Sequence, residues 1–134
     1  MKAIKRIGTI ALVFALCFAL SMSVFAAVSY KGSVSLTATQ NNVTSSSYGG
    51  HSGKGTVSNH SGSAGDVNLS LQISAGDGWT TYQTVTASPG SSNSTSVWGK
   101  STVNYLFRVY LASSTYWVVG NPGRVATGSV YTDG

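Results

Sequence analysis

The stretch TVNYLFRVYLA, residues 102–112, decides the fold class of this chain. Apolar and aromatic side chains occupy every second position, and Leu106, Arg108 and Tyr110 lie between them. Successive side chains of a β-strand point to opposite faces, so this period predicts a strand with one buried and one outward face.

The same period of two recurs along the chain and predicts further short strands. They span residues 28–39, 55–59, 67–73, 79–87, 94–98, 116–119 and 124–131. Residues 40–54, rich in Asn, Ser and Gly, are expected to form a long loop, and Asp77-Gly78 a hairpin turn. Seven or eight strands joined by polar turns favour an all-β fold, an antiparallel β-sandwich.

The alternation also assigns residues to the core. In the first strand, Val28, Tyr30, Val34, Leu36 and Ala38 are expected to share the buried face, and Val103 is expected on the buried face of the strand at residues 102–112. Trp79 and Trp98 are expected to help fill the same core.

The N-terminus has the order of a secretory signal peptide. Lys2, Lys5 and Arg6 precede an apolar run at residues 7–20, and a small residue, Ala26, stands at the expected cleavage position. We therefore predict a signal peptide at residues 1–26, a single domain at residues 27–134, and a secreted or cell-surface location. The alternative is an uncleaved membrane anchor, because residues 7–28 are almost long enough to span a bilayer.

Charge and cysteine content exclude two classes of protein. The chain has 134 residues, a formal net charge of +5 and only 8% charged residues. Three basic residues leave with the leader and the others are scattered, so a nucleic-acid partner is not expected. The single cysteine, Cys17, lies within the leader, so no disulfide framework is expected either.

Few side chains outside the leader can carry catalysis or bind a metal. Glycoside hydrolysis normally needs two carboxylates beside the scissile bond, and Asp66, Asp77 and Asp133 form no evident pair. We therefore expect no enzymatic activity and no cofactor. His51-Ser52-Gly53 and His60-Ser61-Gly62 repeat one tripeptide, but the spacing matches no standard metal signature, which favours exposed loop histidines over a zinc site.

Aromatic residues give the strongest indication of function. Leu106, Arg108 and Tyr110 share the outward face of their strand, and Tyr116 on the following predicted strand is expected to lie beside them. Exposed aromatics next to an arginine are typical of recognition surfaces, and aromatic rings stack on sugars. We predict a ligand-binding patch of these four residues. The alternative is that they only pair across strands and stabilise the outer face.

One resemblance supports the predicted architecture, and a second one supports an alternative function. Tyr105-Leu106-Phe107-Arg108-Val109 resembles the F strand of immunoglobulin and fibronectin type III domains, which implies a tyrosine-corner role for Tyr105. Residues 48–51 and 97–103 resemble segments of the lactococcin bacteriocins, small exported β-sandwich proteins. That second resemblance implies a target in cell-wall synthesis.

Three functions remain open from the sequence. The first is a secreted, non-enzymatic binding or adhesion module that recognises an extracellular glycan or another cell-surface partner. The second is a bacteriocin-like antibacterial protein acting at the cell wall. The third is a structural surface protein that self-associates, because strand edges with few charges are poorly protected against pairing with other chains.

Overall fold

The computed structural model describes residues 27–100, 102–113 and 123–134, which form an all-β structure. Its strands are β1 (Ser29–Leu36), β2 (Asn42–Thr44), β3 (Tyr48–Gly50), β4 (Ser52–Asn59), β5 (Val67–Ser74), β6 (Thr80–Ala87), β7 (Ser92–Ser94), β8 (Trp98–Gly99), β9 (Tyr105–Ser113) and β10 (Ala126–Thr132). The described part contains no helix, so no helix in it is long and apolar enough to cross a membrane. The all-β prediction is confirmed, with ten strands in this part instead of seven or eight. The predicted leader, the predicted strand at residues 116–119 and Tyr116 lie outside the described residues.

The strands form two antiparallel sheets of five strands each. The first sheet has the order β1-β10-β4-β7, and β8 also pairs with β4. The second sheet has the order β2-β9-β5-β6, and β3 also pairs with β9. The strand predicted from residues 102–112 is therefore β9, which is flanked by β5 on one edge and by β2 and β3 on the other.

Side chains from both sheets meet in one hydrophobic core. The second sheet supplies most of its large side chains, namely Val67, Leu69, Leu71, Ile73, Phe107, Val109 and Leu111. The first sheet presents glycines opposite several of them. A Cβ atom added at Gly53 would lie 2.6 Å from the Phe107 ring, and one added at Gly55 would lie 2.7 Å from Cγ1 of Val109. The missing side chains allow the backbone of β4 to lie close against the large residues of β9.

The predicted loop at residues 40–54 is wrong, and inward-facing glycines explain why β3 and β4 were missed there. The structure places β2, β3 and the first part of β4 within that range. Gly50, Gly53 and Gly55 occupy buried positions, so the alternation of burial is present without an alternation of hydrophobicity. A pattern search that counts apolar side chains does not detect such a strand.

Three residues expected on the buried faces lie at the surface. Ala38 follows the end of β1 at Leu36 and is exposed. The pairing of β1 with β10 shifts between Tyr30 and Gly32, a β-bulge that turns Tyr30 outward. Tyr30 is 57% exposed, and its ring packs at 5.9 Å against that of Tyr131, whereas Leu36 is fully buried as predicted. Val103 precedes β9 instead of lying within it and is 44% exposed.

Hydroxyl side chains form a large part of the outward face of the first sheet, beside Lys54, Tyr30 and Tyr131. Register and alternation place two rows of four on strands β1, β10, β4 and β7: Ser33, Ser129, Thr56 and Ser94 in one row, and Ser35, Thr127, Ser58 and Ser92 in the other. The hydroxyls of Thr56 and Ser94 lie 2.9 Å apart in a hydrogen bond. We call these eight residues the hydroxyl face.

The finer assignment to the immunoglobulin or fibronectin type stays a prediction. Two antiparallel sheets that share a core agree with a sandwich. The last strand, β10, pairs with β1 and β4 in the sheet opposite to β9. Tyr105, expected at a tyrosine corner, packs its ring at 4.7 Å against Trp98.

Candidate functional site

Strand β9 brings three of the four predicted patch residues to one outward surface. Phe107, Val109 and Leu111 point into the core and are fully buried. The residues that alternate with them therefore face outward. Leu106 is 43% exposed, and Arg108 and Tyr110 are half-buried. This placement of Leu106, Arg108 and Tyr110 on the face opposite the core agrees with the sequence analysis.

Arg108 is held in place by two contacts from the neighbouring hairpin. Its Nε donates a hydrogen bond of 2.8 Å to Oε1 of Gln72, which is its register partner on β5. Its guanidinium carbon lies 4.0 Å from the centre of the Trp79 ring. A guanidinium over an indole is favourable because the ring face carries negative partial charge. The cation therefore has a fixed position while staying partly accessible to solvent.

Trp79 was expected in the core, and that expectation is wrong. It is half-buried and lies just before β6, with Arg108 stacked against it. The sequence offers little to reveal this, because the contact depends on β5 pairing with β9 across more than thirty residues of chain. Trp98, in contrast, packs against the hydrophobic core as predicted. We use the term aromatic patch for Trp79, Leu106, Arg108 and Tyr110.

The surface around the aromatic patch is polar and almost uncharged. The hydroxyls of Ser70 and Thr84 lie 2.8 Å apart, and Thr86 donates a 2.6 Å hydrogen bond to Asn68. Among the described outward positions of β2, β5, β6 and β9, Arg108 is the charged residue. A ligand on this sheet would meet one fixed cation, two aromatic rings and a set of hydroxyl and amide groups.

A second group of aromatic side chains lines an open cleft at one end of the sheets. Its volume is about 390 Å³, and its lining residues are Ile73, Ala75, Thr80, Thr81, Tyr82, Trp98, Lys100 and Tyr105. The ring of Trp98 contacts those of Tyr105 at 4.7 Å, Phe107 at 5.9 Å and Tyr82 at 6.4 Å. We call this feature the aromatic cleft. The sequence analysis missed it because its residues come from four separate segments.

The two histidines make separate hydrogen bonds and do not contact each other through these bonds. Nδ1 of His51 donates to the carbonyl oxygen of Val103 at 2.9 Å, and Nδ1 of His60 accepts from the backbone N–H of Gly62 at 3.1 Å. Within residues 27–100, 102–113 and 123–134, no three His, Cys, Asp or Glu side chains come close enough to hold a metal ion.

Asp133 accepts hydrogen bonds that join two distant segments of the chain. Its Oδ1 accepts backbone hydrogen bonds from His51 at 2.7 Å and from Ser52 at 2.9 Å. Burial raises the pKa of this carboxyl, but the hydrogen bonds from Ser52 and His51 outweigh it, so the pKa lies below its ordinary value. Asp133 therefore fastens the residues after β10 to the start of β4.

Comparisons with known proteins give only distant structural similarity. No known protein family matches this chain, and no curated protein is similar to it in sequence. The chain is similar in structure to the PBSX exported protein XepA, with 18% identity and a TM-score of 0.41, over 78% of this chain and 36% of that protein. It therefore spans about a third of that protein's length. It is also similar to a mitogen derived from Yersinia pseudotuberculosis, with 10% identity and a TM-score of 0.41, over 81% of this chain and 87% of the mitogen.

Proposed function

We propose that the protein is a secreted, non-enzymatic binding module that recognises an extracellular glycan or another cell-surface component through the aromatic patch. The observation that carries this proposal is the stacking of Arg108 on Trp79, with Gln72 fixing the guanidinium from the side. A pre-positioned cation–aromatic pair loses little conformational entropy when a ligand binds. Such a pair on an uncharged face is suited to the hydroxyls and apolar ring faces of sugars.

The distribution of carboxylates supports binding over catalysis. Asp133 is engaged by two backbone N–H groups, and Asp77 lies at the exposed tip of the hairpin between β5 and β6. Asp66 precedes β5 and is also exposed. None of these three lines the aromatic cleft or lies on the outward strand positions of the aromatic patch. We therefore assign recognition, and no reaction, to this surface.

Co-sedimentation with insoluble cell walls tests the proposal. The purified protein should pellet with walls from at least one class of cell, and Trp79→Ala together with Tyr110→Ala should raise the apparent Kd about tenfold, which corresponds to about 1.4 kcal/mol. The double variant removes both rings of the patch but leaves the core residues of β9 unchanged. Thermal unfolding of each variant shows whether the fold is retained.

Tyr30→Ala is the matched control, because Tyr30 is an exposed tyrosine on the opposite sheet that packs on Tyr131. It should pellet like the unaltered protein. Equal retention of the folded double variant and the control would overturn the assignment of the patch. No retention on any wall, combined with concentration-dependent oligomers in light scattering, would favour the self-associating alternative. Growth inhibition of related strains would favour the bacteriocin-like one.

A further inference from the structure

The aromatic cleft contains a rigid platform. Trp98 is half-buried, and its ring is held by the rings of Tyr105, Phe107 and Tyr82. Phe107 is fully buried, so one side of the indole is anchored in the hydrophobic core. A ring fixed in this way presents apolar area to a ligand without the entropy cost of ordering a mobile side chain.

A β-bulge places the second ring of the cleft. On β5, Leu71 pairs with Gln83 and the next residue, Gln72, pairs with Thr81, so Tyr82 is an extra residue on β6. The bulge aims the Tyr82 side chain toward Trp98, where it remains 41% exposed. Bulges of this kind commonly re-aim a side chain beside a functional site.

The charged side chain at the cleft is basic. Lys100 is exposed, its backbone N–H is fixed by a 3.0 Å hydrogen bond to the carbonyl oxygen of His51, and none of the described lining residues is acidic. Thr80 and Thr81 add hydroxyls on the other side. Asp77, the nearest carboxylate along the hairpin, lies two residues beyond the lining residue Ala75.

We infer that the aromatic cleft is a binding site for one anionic sugar residue, whose ring stacks on Trp98 with Tyr82 against its edge, while its acidic group pairs with Lys100. The volume of about 390 Å³ falls at the lower end of the range of about 300–1,000 Å³ for small-molecule sites. The cleft adjoins the aromatic patch through Thr81, because Thr81 pairs with Gln72 and Gln72 bonds Arg108. The inference rests on the proposed function only in taking the ligand to be a glycan.

Titration of the 15N-labelled protein with simple sugars tests this site. D-glucuronic acid has a carboxylate at C6 where D-glucose has a hydroxymethyl group, and glucose 6-phosphate carries a phosphate on that hydroxymethyl group. The indole N–H signal of Trp98 should shift with all three sugars. The acidic sugars should bind more tightly by a factor of up to about five, as expected for one exposed ion pair. The acidic sugar that binds more tightly shows whether the site prefers a carboxylate or a phosphate.

Three variants separate the parts of the site. Lys100→Gln should abolish the preference for acidic sugars while glucose still binds, and Tyr82→Ala should weaken all three. Lys54→Gln is the matched control, because Lys54 also lies beside an aromatic ring, that of Tyr131, but on the outer face of the first sheet. An unchanged Trp98 signal, or a preference for acid that survives Lys100→Gln, would overturn the inference. Failure of the cleft inference would leave wall binding through Trp79 and Tyr110 unaffected. The two proposals are therefore tested independently.

Discussion

At the scale of single residues, Gly55 lies at a position that leaves no room for a side chain. A Cβ atom on Gly55 would lie 2.7 Å from Cγ1 of Val109 and 2.8 Å from Cδ2 of Leu69, both fully buried. Gly55→Ala should therefore destabilise the protein by about 1–3 kcal/mol in urea unfolding, as overpacked cores do. Gly49→Ala, whose new Cβ would have its nearest neighbour at 3.9 Å, should be neutral or slightly stabilising. Equal stabilities would mean that the sheets separate easily to admit a methyl group.

Asp133 sets a pH dependence at the same scale. Its pKa is lowered in the folded protein, so its contribution to stability is complete above the unfolded pKa, near 3.8, and is lost as the pH falls through the folded pKa. Asp133→Asn should flatten the acid side of a stability profile measured by urea unfolding between pH 7 and pH 2. Asp77→Asn is the control, since that side chain lies exposed at the tip of the hairpin between β5 and β6. A profile that Asp133→Asn leaves as steep as before would contradict this role.

At the scale of elements, the hairpin between β5 and β6 carries parts of both candidate sites. Gly78 adopts a φ of 108° with open space around it, so Gly78→Ala tests backbone strain alone. We expect a loss of about 1–2 kcal/mol in unfolding free energy and weaker binding at Trp79 and Tyr82. Gly62→Ala, a loop glycine without positive φ, is the control. A stable Gly78→Ala variant would show that the turn relaxes into another type.

The elements also show how far the sequence predicts this fold. Strands β5 and β9 are predicted well because apolar side chains occupy alternate positions along them, and these positions are the buried ones. Strand β6 is predicted from its content of Thr, Tyr and Val, residues that favour strands. β4 is half missed because its inward residues are glycines, whose role depends on the facing sheet. Leu106, Arg108 and Tyr110 follow from alternation within one strand. Trp79 and the aromatic cleft depend on pairing between distant segments, which no local period encodes.

At the scale of the whole molecule, the topology predicts slow folding. β1 pairs with β10, and β4 pairs with β10 and β7, so much of the first sheet joins residues far apart in the chain. Loops must close before such contacts form, and we expect refolding in about milliseconds to seconds after dilution from denaturant. Stopped-flow tryptophan fluorescence measures this rate. Microsecond folding would imply that local hairpins dominate the transition state.

The hydroxyl face has a consequence for a layer of many bound molecules. It lies on the first sheet, whereas the aromatic patch lies on the outward side of the second, so the two surfaces point in opposite directions. Molecules attached to a wall through the patch would turn two rows of serine and threonine hydroxyls toward the medium. The eight side chains of these rows carry no charge, although Lys54 lies on the same outer face beside the Tyr131 ring. Such a coat would cover the wall beneath it with a hydrated layer of hydroxyl groups in which lysine is the charged residue.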